Sequence, residues 1–148
     1  QVRTGMTASL GQALDVVVDL LVERVSQLIG QPVAHAEVPS VIRYQPGQQY
    51  KQHGDYLPPG SALAEKAKGG QRSHTALVYL NDGFSGGATR FNELDVVIEP
   101  KQGQLLTFTN ITTAGQPLLA SQHTGETVME GEKWLLSIWF RQFATEKL

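Results

Sequence analysis

Cysteine is absent from the 148 residues, which excludes disulfides, cysteine–zinc sites and a thiol nucleophile and fits a reducing, cytoplasmic setting. A basic surplus is missing too: 12 Lys and Arg against 14 Asp and Glu give a formal charge of −2. No nucleic-acid partner is expected of such a chain. No apolar run reaches membrane-spanning length, so no membrane partner is expected either. What remains is an ordinary globular composition, 41% hydrophobic and 18% charged, enough for a single domain over residues 1–148 with a real core. Because the chain opens at Gln1 rather than Met, an upstream piece is expected to be missing. Composition carries no signal of oligomeric state.

Residues 1–12 show no sustained period and read as irregular. From Leu14, the residues Leu14, Val17, Val18, Leu21, Val25, Leu28 and Ile29 fall at helical spacing, with Asp15, Asp19, Glu23 and Arg24 between them, which predicts an amphipathic helix. Gly30 and Pro32 end it. Beyond Pro39 come short β-rich runs: 38–44, 48–54, 75–81, 88–91, 96–98, 105–109, 118–123 and 133–143. Turn residues such as Pro46-Gly47, Gly86-Gly87 and Gly131 separate them. About eight strands after one helix, without β–α alternation, predict a mainly β sandwich or jelly roll with a flanking helix. Residues 57–71, rich in Pro and Gly, form a long connection that reads equally as a lid or as a plain surface loop.

Two side chains two residues apart on a strand share a face, so His53-Gly54-Asp55 presents an imidazole and a carboxylate to one cavity. A second, distant His would complete a two-His-one-carboxylate set, which leaves coordination positions of a non-haem iron open. The spacing alone is a weak signal. With 14 acids in 148 residues, roughly one His in ten has an acid two places later by chance, and His35-Ala36-Glu37 repeats the pattern. His74 has no acid beside it. His123, at a strand end before Gly125, is the candidate distal ligand.

On the last strand Lys133, Leu135, Ser137, Trp139 and Arg141 share one face, while Trp134, Leu136, Ile138 and Phe140 form a wholly apolar opposite face expected to be buried. A cation at the inner end of a pocket is costly unless an anion meets it, and a dicarboxylate would serve.

The ordered matches Arg43-Tyr44, Gly47-Gln48, Tyr50, His53-x-Asp55, Gly70-Gln71-Arg72, Thr75-x-Leu77-x-Tyr79-Leu80-Asn81, Gly86-Gly87-x-Thr89-x-Phe91, Pro100-x-x-Gly103, Phe108-x-Asn110, His123-x-Gly125, Gly131-x-Lys133-Trp134 and Trp139 carry a resemblance. From about Val38 to Arg141 the chain resembles the catalytic domain of the prolyl 4-hydroxylases. These are the collagen, plant and bacterial branch of the iron(II)- and 2-oxoglutarate-dependent dioxygenases. The resemblance implies a cupin-like double-stranded β-helix, with His53, Asp55 and His123 as iron ligands. It implies that Lys133 pairs with the distal carboxylate of 2-oxoglutarate, helped by Tyr44 and Thr89, and that Tyr50, Arg72 and Trp139 face a peptide. Expected cofactors are Fe(II), 2-oxoglutarate as cosubstrate, O2 and ascorbate. The expected reaction is hydroxylation of peptidyl-proline at its 4-position, with succinate and carbon dioxide released. Thr127 stands where the family usually has Pro, the 57–71 loop matches poorly, and the N-terminal part of the usual domain is short. A hydroxylase of a free amino acid or small metabolite is the rival enzyme. A non-catalytic jelly-roll binding module is the rival of another class.

Overall fold

The computed structural model describes residues 2–11, 16–58, 60–64 and 66–145. In chain order its elements are β1 (Met6–Ser9), α1 (Val16–Ile29), β2 (Ser40–Tyr44), β3 (Tyr50–His53), β4 (Arg72–Tyr79), β5 (Ser85–Gly86), β6 (Thr89–Phe91), β7 (Val96–Ile98), β8 (Leu105–Thr109), β9 (His123–Gly125), β10 (Val128–Glu130) and β11 (Lys133–Arg141). They form an antiparallel five-stranded sheet in the order β1-β2-β11-β4-β8, a four-stranded sheet β3-β9-β6-β7 and the short ribbon β10-β5. This is the jelly roll that the strand pattern predicts.

The helix forms because Val18, Leu21, Val22, Val25 and Ile29 recur at helical spacing and pack, with Leu136, Ile138 and Phe140 of β11, on the outside of the larger sheet. The stripe is rotated from the one read in the sequence. Val17 and Leu28 are exposed, Val22 is buried in their place, and Leu14 lies outside the described residues. Gly30, at φ 68°, closes the helix, and Gln31 N–H donates to the Ser26 carbonyl at 3.0 Å. That is the bond of a Schellman cap, which needs a residue free to turn left-handed.

Between the sheets a second core joins Ile42, Tyr44, Leu77, Tyr79, Val128 and Leu135. Register explains it: Lys133 pairs with Tyr44, Leu135 with Ile42 and with Tyr79, and Ser137 with Leu77, so these side chains line one face. The opposite face departs from expectation at Trp134, which is 38% exposed and carries the Arg43 guanidinium over its ring at 5.5 Å. Its place at the start of β11 lies beyond the reach of α1.

Four short elements also depart from the sequence reading. Residues 6–9, read as irregular, pair with β2; β5 and β10 have no alternating pattern to betray them. The run 118–123 is mostly a tight turn at Leu119–Ser121, and its strand begins at His123. The loop 57–71 holds two short 3-10 turns, Ala62–Ala64 and Lys66–Lys68. Its ends are tied by reciprocal bonds between the Gln71 side chain and the Leu57 backbone, both 2.7 Å. Arg141 further donates to the carbonyls of Leu63 and Gly70 at 2.9 and 2.7 Å. Among the described residues, no helix is long and apolar enough to cross a membrane.

Candidate active site

His53 ends β3 opposite His123 of β9, and Asp55 lies in the bend that follows. The pair therefore does not come from one extended strand, as the spacing suggested, but from a strand end and a turn. Gly54 permits this turn, because a Cβ there would collide with the ring of Tyr56. Between Tyr50 and His53 the register slips by one residue. Such a bulge re-aims side chains, and it lets Tyr50 and His53, three apart, stack their rings with centroids 3.3 Å apart.

One ligand atom each from His53, Asp55 and His123 lies within 4.8 Å of the others. Both imidazoles are held in the same way. Nδ1 of His53 sits 2.8 Å from the Lys51 carbonyl and Nδ1 of His123 3.0 Å from the Ser121 carbonyl. A carbonyl only accepts, so Nδ1 carries the proton and Nε2 keeps its lone pair for an ion. Burial, with the Lys133 ammonium adding to it, pushes the His123 imidazole down against the pull of Asp55, which keeps it neutral and able to ligate. Burial alone would push the Asp55 carboxyl up, but its place beside the His53 and His123 imidazoles and the bond donated by the Thr75 hydroxyl hold it well below the usual carboxylate range. An ionised buried carboxylate beside two tautomer-locked imidazoles fits a divalent cation.

Thr75 and Asn110 complete this arrangement, and the sequence did not reveal them as partners of Asp55. Thr75 Oγ1 donates to Asp55 Oδ2 at 2.8 Å and accepts from Asn110 Nδ2 at 2.8 Å; both residues are fully buried. One carboxylate oxygen is thereby occupied, leaving Oδ1, 3.5 Å from His53 Nε2. Phe108 and Phe91 pack against the His123 ring, at 5.0 and 5.7 Å between centroids, and make that wall apolar.

Lys133 lies in the same cavity as Tyr44, His53, Asp55, Thr89 and His123. It is 3% exposed and its Nζ donates to the Gly87 carbonyl at 2.6 Å. Among the described residues no carboxylate forms an ion pair with it. Burial pushes its pKa down to about 8, although the Glu126 charge pulls the other way. Such a cation lacks only an anion. The rings of Tyr79 and Tyr44 stand 5.3 and 5.8 Å away. Thr89 is bonded at 2.7 Å to the Tyr79 hydroxyl, so Tyr79 joins Tyr44 and Thr89 in this polar end. Burial raises the Tyr44 phenol, which stays protonated and able to donate.

A second, outer groove of about 440 Å³ is lined by Arg3, Tyr50, Tyr56, Leu57, Arg72 and Trp139 among others, and shares Tyr50, Asp55 and Trp139 with the inner cavity. Arg72 opens β4 rather than ending a free loop. Its Nε and Nη2 each donate to Glu37 at 2.7 Å, and its guanidinium stacks over Trp139 at 4.1 Å. Glu37 also pairs with Arg141, and His35 Nδ1 faces the Arg141 carbonyl at 3.1 Å. The competing pair His35 and Glu37 is thus committed to the scaffold. Trp139 and Ser137 line the inner cavity, and their Nε1 and Oγ atoms are buried without a hydrogen-bond partner among the described residues.

Fold and donor set define a class: the model described as the 2OG-Fe(II) oxygenase superfamily matches residues 39–141, and the chain belongs to that superfamily, in its prolyl 4-hydroxylase catalytic-domain family. Prolyl 4-hydroxylase 1 of Arabidopsis thaliana is 32% identical over 142 residues, covering 87% of this chain and 49% of that protein. Human prolyl 4-hydroxylase subunit alpha-1 is 31% identical over 145 residues, 97% of this chain and 27% of that one. The chain spans about half the length, or less, of the curated relatives it matches. A viral collagen prolyl hydroxylase from Paramecium bursaria Chlorella virus-1, solved with 2OG, superposes with a TM-score of 0.79 at 25% identity, covering 95% of this chain and 80% of that one.

Proposed function

We propose that this chain is an iron(II)- and 2-oxoglutarate-dependent dioxygenase that hydroxylates peptidyl-proline at the 4-position. The observation that carries the reading is one cavity with a His–Asp–His donor set and a buried Lys133 that lacks a carboxylate partner. Nε2 of His53, Nε2 of His123 and Oδ1 of Asp55 would hold the iron. When bound, the iron with 2-oxoglutarate and O2 supplies oxidation of an unactivated C–H bond, with succinate and carbon dioxide as coproducts. Ascorbate is the proposed reductant.

Lys133 binds the distal carboxylate of 2-oxoglutarate as a buried point charge, which makes the contact charge-assisted. The hydroxyls of Tyr44 and Thr89 line that cavity as donors, with the Tyr79 hydroxyl bonded to Thr89 behind it. Phe91 and Phe108 exclude water from the His123 side. Tyr50, Trp139 and the Arg72 stacked on it wall the outer groove. An extended proline-rich peptide is stiff and presents its rings regularly, so it loses little entropy against aromatic walls.

The test is succinate release with proline-rich peptides, with mass spectrometry for the gain of one oxygen atom. The proposal expects both, together with a hydroxyproline product. Stimulation by a free amino acid or small metabolite while every peptide is ignored would replace peptidyl-proline by a small-molecule substrate. No turnover at all would favour a binding module.

A further inference from the structure

The outer groove carries more positive charge than the chain as a whole. The molecule has a formal charge of −2, yet two guanidiniums, Arg3 and Arg72, line this groove, and Asp55 is the acid among its lining residues. Asp55 belongs to the donor set. Glu37 is shared by Arg72 and Arg141, so that cluster keeps one positive charge in excess. Arg3 has no ion pair with any described residue.

Arg3 is also held in place. The segment around it pairs with the edge of β3: Arg3 bridges Tyr50, Thr4 N–H donates to the Gln49 carbonyl at 3.0 Å and Lys51 N–H to the Val2 carbonyl at 2.9 Å. The Thr4 hydroxyl accepts from Gln49 N–H at 2.8 Å. The guanidinium lies over the Tyr50 ring at 5.4 Å, and that ring stacks on His53. A stacked guanidinium keeps the N–H donors at its edge for a carboxylate.

We propose that Arg3 reads an acidic side chain of the substrate, so that the preferred peptide carries a Glu or Asp beside its target proline. The inference rests on the peptide reading above and narrows it: the neutral rings go to Tyr50 and Trp139, and the neighbouring carboxylate goes to Arg3. Complementary charge at a groove mouth acts on encounter and selectivity more than on the chemical step. The effect therefore falls on KM.

Three proline-rich peptides identical except for Glu, Gln or Lys beside the target proline separate the outcomes. At low salt the Glu peptide should have a KM about fivefold below the Lys peptide, the scale of one partly exposed charge pair. High salt should erase the difference in the wild-type protein, a control that needs no variant. Arg3→Gln, checked for an unchanged melting curve, should erase it as well. Equal KM values for the three peptides in wild type, or a Glu preference that survives Arg3→Gln, overturn the inference and leave the peptide reading standing. A change confined to the KM for 2-oxoglutarate overturns it too, by assigning Arg3 to the cosubstrate. If no peptide stimulates succinate release, the peptide reading falls and the inference with it.

Discussion

A single hydroxyl decides how Asp55 is presented. Thr75 Oγ1 holds one carboxylate oxygen at 2.8 Å and leaves the other toward the imidazoles. Thr75→Val keeps the shape and removes the hydroxyl, so it should weaken binding of Fe(II), or of Co(II) as a spectroscopic stand-in, by ~10–100-fold, the usual cost of losing a partner that orients a ligand. Thr75→Ser should restore it; anaerobic calorimetry reads both, and wild-type affinity in Thr75→Val would remove Thr75 from the site. Lys133 gives a pH prediction. The proposed partner of the anion is its ammonium form, and burial pushes its pKa down to about 8. Affinity for 2-oxoglutarate should therefore be flat below that pH and fall as the pH rises through it, because deprotonation removes the charge. Lys133→Ala should lose about 1.5–3 kcal/mol of 2-oxoglutarate binding, the scale of a charged hydrogen bond, and Lys133→Arg should also weaken it. Titrations across pH with each variant check this; a wild-type profile that stays flat well above pH 8 would contradict the role.

The elements meet at Glu37, which precedes β2 and ties β4 and β11 together through Arg72 and Arg141. Arg141, 7% exposed, also holds the 57–71 loop through two carbonyls. Glu37→Gln leaves these partly buried guanidiniums without their counter-charge and should destabilise the fold by about 1.5–3 kcal/mol, the scale of charged hydrogen bonds. Urea unfolding measures it, and amide exchange in residues 60–70 should accelerate with it. A loss under about 1 kcal/mol would mark the pair as an exposed one. The same residue shows where sequence reasoning stops. His35-Ala36-Glu37 and His53-Gly54-Asp55 have equal spacing, and only the fold shows that Glu37 is consumed by two arginines. Inner and outer faces of β11 were legible from alternation, because a strand buried on both sides leaves few other arrangements. The bulge in β3, the short strands β5 and β10 and the Thr75–Asp55 bond were not. Each depends on residues far apart in sequence, or on too few residues to show a period.

At the scale of the whole molecule, the two sheets divide the work. The four-stranded sheet brings His53 of β3 beside His123 of β9, while the larger sheet contributes Lys133 from β11 and Thr75 from β4. The cavity exists only when the sheets face each other, so the donor set and the anion-seeking cation are products of the complete jelly roll. That geometry suits the cavity to holding iron and 2-oxoglutarate together. Their joint binding is tested most directly by adding Fe(II) and then 2-oxoglutarate to the protein under argon and recording the visible spectrum. A weak metal-to-ligand charge-transfer band is expected in the wild type, absent in His123→Ala and requiring much more 2-oxoglutarate in Lys133→Ala. A wild-type protein that shows no band, or a band that survives unchanged in His123→Ala, would contradict it.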